Sequence, residues 1–252
     1  MLRHMRLPLA KYSVGEIVVL LVITSVMGYV LYQIAPILII LPAVTFLFTL
    51  YFFRDPYRKI PDGNNLILSP ADGTIIEISD VNEDTFIKEP SVKVAIFLSV
   101  FNVHINRAPC DGKIALLDYR KGKFLVASEP EASRQNERNS IGILAPNSPR
   151  ELGVAKEDNY STPHFKVLVR QIAGIIAQRI VCDLEMNQQV KKGQRIGMIK
   201  FGSRTEVYIP KNKLERLEVK INDKVKGAET VLAVLRHSEA PAPERRMGVI
   251  KQ

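Results

Sequence analysis

Few residues in this 252-residue chain are placed to do chemistry, and His104 is the best placed of them. It lies in Phe101-Asn102-Val103-His104-Ile105-Asn106-Arg107-Ala108-Pro109, directly after an apolar run. A histidine at a strand end with polar neighbours is a general acid/base position. The other three histidines read as bystanders: His4 and His237 lie near the termini, and His164 follows Pro163 in a polar loop. Asp72, in Ser69-Pro70-Ala71-Asp72-Gly73, reads as ordinary Asp-Gly turn chemistry. Gly202-Ser203-Arg204 does not match the Gly-x-Ser-x-Gly nucleophile elbow. Cys110 and Cys182 build neither a disulfide scaffold nor a zinc-ligand spacing, so they read as reduced structural thiols and no metal is expected.

The elements that position these residues are mostly short strands. Segments 73–78, 92–99, 123–126, 165–169 and 196–201 are apolar and rich in branched residues. Residues 171–179 predict a short helix, 128–140 a loop or lid, and 146–163 another loop. His237 onward, with Pro241 and Pro243, reads as a disordered tail. Residues 190–199 read as a turn followed by a strand, with Gly193 at the turn and Gly197 allowing another backbone to approach. Similar hairpins occur in lipoyl- and biotinyl-type β folds, but no lysine sits at an attachment tip.

Composition is ordinary for a globular chain, 46% apolar and 24% charged, which excludes wholesale disorder. The average hides an asymmetry: residues 17–53 carry no charge at all. That run is too long for a signal-peptide core and too long for one span of about 20 residues. Gln33 and Pro36 break it near its middle, with a second proline at Pro42, so two short helices are expected, roughly 14–33 and 37–53. Arg3, Arg6 and Lys11 precede the run, and Arg54, Arg58 and Lys59 follow it. Positive charge on both sides favours a hairpin with both ends cytoplasmic. The alternative is an apolar core helix pair. The formal charge is +9, of which the remainder after the run carries +7, suited to lying against anionic lipid. No helix-turn-helix, zinc-finger or RNP-like pattern supports nucleic-acid binding.

Taken in order, the motifs resemble the phosphatidylserine decarboxylase family in its short form. The resemblance rests on Ser69-Pro70-Ala71-Asp72-Gly73, on Phe101-Asn102-Val103-His104 with Asn106-Arg107-Ala108-Pro109, and on Asn136-Glu137-Arg138-Asn139. It continues through Val169-Arg170-Gln171-Ile172-Ala173-Gly174 and Lys192-Gly193-Gln194-Arg195-Ile196-Gly197 to Phe201-Gly202-Ser203-Arg204. Each motif alone is weak, but the ordered set covers about residues 50–235. Many longer members read Gly-Ser-Thr or Gly-Ser-Ser at the last site, where Arg204 stands here.

The resemblance implies a proenzyme that cuts itself between Gly202 and Ser203. It implies a β chain 1–202, an α chain 203–252, and a pyruvoyl group made from Ser203 as the sole, covalent cofactor. His104 would be the base, with Asp72 orienting it. The ketone would form a Schiff base with phosphatidylserine, accept the electron pair left by CO2, and give phosphatidylethanolamine. Arg107 and Arg204 are candidate phosphate or carboxylate partners. A homodimer of the cleaved pair is also implied, on the cytoplasmic face of the cell membrane.

The expected fold class is α+β, a β-rich soluble domain with lipoyl-like hairpin elements preceded by an apolar helical hairpin. The expected organisation is an anchor over 1–53, a catalytic domain over 54–236 and a tail over 237–252. Three alternatives carry different signatures. One is the same reaction on an archaeal ether-lipid serine headgroup. A membrane-anchored lipoyl-like adaptor would remain uncut and lack the carbonyl. A hydrolase using uncleaved Ser203 would take a fluorophosphonate label.

Overall fold

Uncharged sequence at the N-terminus forms two helices, α1 (Val14–Ile34) and α2 (Ile40–Phe52), with a 3-10 turn Pro36–Ile39 between them. The helix boundaries fall where Pro36 breaks the run, as expected. The computed structural model describes residues 9–146, 164–175, 179–200 and 202–236. The expected tail 237–252, nearly all of the expected loop 146–163, His4, His237 and the side chain of His164 lie outside the described residues.

The two helices return the chain to where it began. Ala10 N donates to the Phe53 carbonyl at 2.8 Å, and Leu9 bridges Arg54. Segment Lys11–Ile34 is long and apolar enough to cross a membrane, with only 11% of its apolar window buried. Val18, Val22, Val26, Val44 and Leu47 are all exposed. A core helix pair would bury those side chains, so the core-pair alternative fails.

The rest is β-rich. Its strands are β1 (Leu66–Leu68), β2 (Gly73–Glu83), β3 (Glu89–Leu98), β4 (Ile105–Arg107) and β5 (Gly112–Arg120). A single turn of helix, α3 (Ala132–Gln135), precedes β6 (Arg138–Pro146) and β7 (His164–Ala173). Then come β8 (Arg179–Val181), β9 (Gln189–Val190), β10 (Arg195–Lys200) and β11 (Ser203–Pro210). The last are β12 (Leu214–Leu217), β13 (Lys224–Val225) and β14 (Val231–Leu235). An eight-stranded antiparallel sheet runs β13-β2-β3-β11-β7-β6-β5-β9, beside three-stranded sheets β1-β14-β12 and β4-β10-β8. This is the expected α+β, β-dominated class.

Three expectations about elements need correction. Residues 171–173 are the end of β7, not the start of a helix, because β7 pairs with β6 on one side and β11 on the other. Residues 123–126 are not a strand; Lys123 makes only an isolated bridge to Asn136. The loop over 128–140 contains α3 and gives way to β6 at Arg138. The turn-strand over 190–199 is present as β9 and β10. A Cβ on Gly197 would stand 2.3 Å from the Val181 carbonyl, the close backbone approach expected there.

All eight residues of β11 are buried, so its two faces have different jobs. Val207 and Ile209 join the main core with Val94, Ile96, Val169 and Ile141. Ser203 and Thr205 continue that face toward the start of the strand. Arg204, Glu206 and Tyr208 point the other way.

Candidate active site

Ser203 opens β11 and pairs with the last residue of β3, Leu98, and the last of β7, Ala173. β2 starts at this same end of the sheet, with Thr74 beside Phe97. From Leu98 the chain turns back through 99–102 to His104, whose carbonyl accepts from Ile199 N at 3.3 Å, four residues before Ser203. The topology therefore gathers Asp72, His104 and Ser203 at one end of the sheet.

His104 and Ser203 are both fully buried. Among the described residues, His104 Nε2 and Ser203 Oγ are two of four buried side-chain polar atoms with no hydrogen-bond partner. Leaving such a group unpaired costs about 1–3 kcal/mol, and the cost calls for an explanation. His104 Nδ1 lies 3.0 Å from the Asn102 carbonyl, which can only accept, so Nδ1 carries the proton and Nε2 presents a bare lone pair. The imidazole packs over Phe52 at 4.3 Å between ring centroids. Burial lowers its pKa from 6.5 to about 4; the Asn102 bond opposes this and the Arg54 charge adds to it. The ring is neutral at neutral pH, in the form a base requires.

The junction before Ser203 is also particular. Gly202 has φ +58°, in the left-handed region that favours glycine. A Cβ on Gly174 would stand 2.3 Å from the Gly202 carbonyl oxygen. Two glycines thus let the carbonyl between them lie close against β7's end.

Asp72 is placed differently from the orienting role expected. Its carboxylate accepts from Arg58 Nη2 at 2.8 and 2.9 Å and from Gly227 N at 2.8 Å. It makes no hydrogen bond to His104; the Asn102 carbonyl holds the ring instead. Arg107 and Arg204 also have internal partners rather than a free face. Arg107 pairs with buried Asp55 at 2.6 Å and donates to the Gly193 carbonyl at 3.0 Å. Arg204 is 1% exposed, lies on the opposite face of β11 from Ser203, and pairs with Glu77 at 2.5 Å and Glu206 at 2.8 Å. Both candidate partners for an anionic substrate group are thus held by carboxylates of the chain itself.

One feature escaped the sequence reading. A chain of buried amides runs across the Ser203 face. Asn139 Nδ2 donates to Gln171 Oε1 at 2.9 Å, Gln171 Nε2 to Asn106 Oδ1 at 2.7 Å, and Asn106 Nδ2 to Thr205 Oγ1 at 3.2 Å. Each bond fixes the next amide's orientation, so the polar wall two residues from Ser203 is rigid. Its sequence signal was a polar residue inside an apolar strand, Gln171, together with Asn106 and Asn139. Cys110 is buried with its thiol pushed up by burial, consistent with an inert structural role.

Comparison with known proteins gives the chain's relatives. The family model described as phosphatidylserine decarboxylase matches residues 45–233. A phosphatidylserine decarboxylase proenzyme of Carboxydothermus hydrogenoformans is 46% identical over 74% of this chain and 79% of its own length. That of Syntrophus aciditrophicus is 42% identical over 77% and 82%. One from Ehrlichia chaffeensis is 43% identical over 75% and 76%.

Proposed function

The chain belongs to the phosphatidylserine decarboxylase family, and we propose that it converts phosphatidylserine to phosphatidylethanolamine and CO2 using a pyruvoyl group made from its own Ser203. It is a decarboxylase made as a proenzyme. The adaptor and hydrolase alternatives give way with that membership. The observation that carries the rest is the Gly202-Ser203 junction, where an unpartnered buried hydroxyl follows a left-handed glycine whose carbonyl has room only because residue 174 is a glycine.

Self-cleavage follows from these groups. Ser203 Oγ attacks the Gly202 carbonyl carbon while His104 Nε2 takes the hydroxyl proton. The peptide C–N bond breaks, the Ser203 nitrogen takes a proton, and an ester joins Gly202 to Oγ. Removal of the Ser203 Cα proton then expels the Gly202 carboxylate. The β chain 1–202 is released with a free carboxylate, and residue 203 is left as dehydroalanine. Tautomerisation and one water release ammonia and leave the ketone. Asp72, fastened to Arg58, contributes its charge and holds the corner whose Pro70 carbonyl accepts from Arg107 N at 2.8 Å. It acts on His104 through that corner rather than by a direct bond.

The pyruvoyl ketone supplies the electron sink that loss of a carboxylate from an amino acid requires. The buried site excludes water, and His104 is placed to hold a proton for the product's Cα. The cleaved chains stay together because β11, the first strand of the α chain, lies between β3 and β7 of the β chain. Assembly of this pair as a homodimer is part of the same proposal. The apolar hairpin anchors the enzyme at the cytoplasmic face of the membrane, with both of its ends on the domain's side.

Intact mass under denaturing conditions tests the reading, beside a Ser203→Ala control. The expected result is two pieces split at Gly202/Ser203, the smaller one blocked by a carbonyl, and a single uncut control. A single uncut wild-type chain in folded, membrane-bound protein would overturn it.

A further inference from the structure

The turn that carries His104 is fastened to the anchor, and its tip is apolar. Phe101 is 64% exposed, yet its ring stands edge-on to Phe48 of α2, 6.2 Å between centroids. Its carbonyl accepts from Tyr51 Oη at 3.2 Å and from Arg54 Nη2 at 2.8 Å. The Arg54 guanidinium lies over the Tyr51 ring at 3.8 Å. The turn itself is closed: Ser99 N and Oγ donate to Asn102 Oδ1 at 2.9 and 2.8 Å, and Asn102 N donates to the Ser99 carbonyl at 2.9 Å. The next link is the Asn102 carbonyl holding His104. A rigid path thus runs from the exposed ring to the reacting imidazole.

Phe48 lies one turn inside α2 from its end at Phe52, and Val44, Leu47 and Tyr51 beside it are exposed. In an anchor set in a bilayer these side chains face lipid, so a ring packed against Phe48 shares their depth. Tyr rings are enriched at the membrane–water boundary, and the Tyr51 ring with Arg54 over it marks that depth. We propose that the 99–104 turn is a membrane-inserted wedge, with Phe101 seated in the lipid leaflet beside α2 and His104 thereby held at the bilayer boundary. The partner is the lipid surface itself, and the substrate's headgroup enters from the leaflet side. This rests on the hairpin being membrane-embedded.

The chain contains no tryptophan, so single replacements give clean reporters. The full-length protein would carry Phe101→Trp, Leu47→Trp on α2, or Asn212→Trp at the far end of β11. Each is reconstituted in vesicles of phosphatidylcholine and phosphatidylglycerol containing lipids brominated at known depths. Quenching at positions 101 and 47, strongest at 101 for shallow bromines, with position 212 unaffected, is the expected result. Quenching at 47 but not at 101 overturns the wedge alone. No quenching at 47 defeats the embedded hairpin, and the wedge with it. A second arm uses Phe101→Ser, with self-cleavage checked by mass to confirm folding. Its turnover of phosphatidylserine in vesicles, relative to a dispersed short-chain phosphatidylserine, should fall roughly tenfold, the scale set by losing one buried aromatic. An unchanged ratio contradicts the proposal.

Discussion

Gly174 has no side chain in a place where one would collide with the Gly202 carbonyl, the proposed target of Ser203. Gly174→Ala puts a methyl 2.3 Å from the Gly202 oxygen. The carbonyl must shift by a large fraction of an ångström, and displacements of that size cost about a hundredfold in rate. The expected product is a folded, largely uncut chain, read by intact mass over time. Adding hydroxylamine separates the steps: it cleaves an accumulated ester, so failure to accelerate cleavage places the block before ester formation. His104 makes a second prediction at this scale. In the unfolded chain it binds its proton near pH 6.5, and in the folded chain only near pH 4. Between those values the unfolded state holds the extra proton, so stability is full above 6.5 and falls as pH drops toward 4, by about 3 kcal/mol. Urea melts at pH 7 and 4.5 should show that loss, and His104→Phe should abolish its His104-dependent part. Self-cleavage should likewise lose rate only on the acid side. His104 and Ser203 were legible as residues because their neighbours form ordered motifs. The partner of Asp72 was not, since nothing in the spacing points to Arg58, and a carbonyl that orients a histidine leaves no mark in side-chain types.

Strands were legible where one face is apolar and branched, as in β2, β3 and the first half of β7. They became illegible where both faces are buried and one carries charge. Gln171 reads as opening a helix, but it belongs to the amide chain, while its neighbour Arg170 faces Tyr208 and Glu206 on the other side of the strand. Tertiary pairing on both sides overrides the local pattern there. The same charged face tests what holds α3 down. Glu206 is fully buried and accepts from Arg204, Tyr208 and Ser133, the last reaching over from α3. Glu206→Ala leaves Arg204 buried with only Glu77 for a partner. A loss of about 3 kcal/mol is expected. Ser133→Ala removes one neutral donor and should cost about 1 kcal/mol. Equal losses in urea titrations would mean that the cluster is solvated and its charges screened.

At the scale of the whole molecule, the apolar helix pair is continuous with the site. Charge on both flanks made the hairpin and its return legible, but not its docking. Ala10, Phe52 and Phe53 pack with Val103, Ile105 and Met198, while Lys200 pairs with Glu16 and Lys11 with Asp183. These contacts join segments fifty or more residues apart, which no local pattern encodes. Their consequence is that the Phe52 ring packs over the imidazole and adds to the burial that desolvates His104. Phe52→Ala should leave membrane binding intact, because α1 and most of α2 are untouched. Water admitted beside the imidazole should move its pKa from about 4 back toward 6.5, so the acid limb of self-cleavage shifts to higher pH. The measurement is cleavage rate against pH for membrane-bound protein, with vesicle flotation confirming attachment. A wild-type acid limb in the variant would reduce the hairpin to a tether. A shifted one would make α2 part of the proposed catalytic centre, and would explain why the chain packs its apolar helix pair and the His104 end of the sheet as one unit.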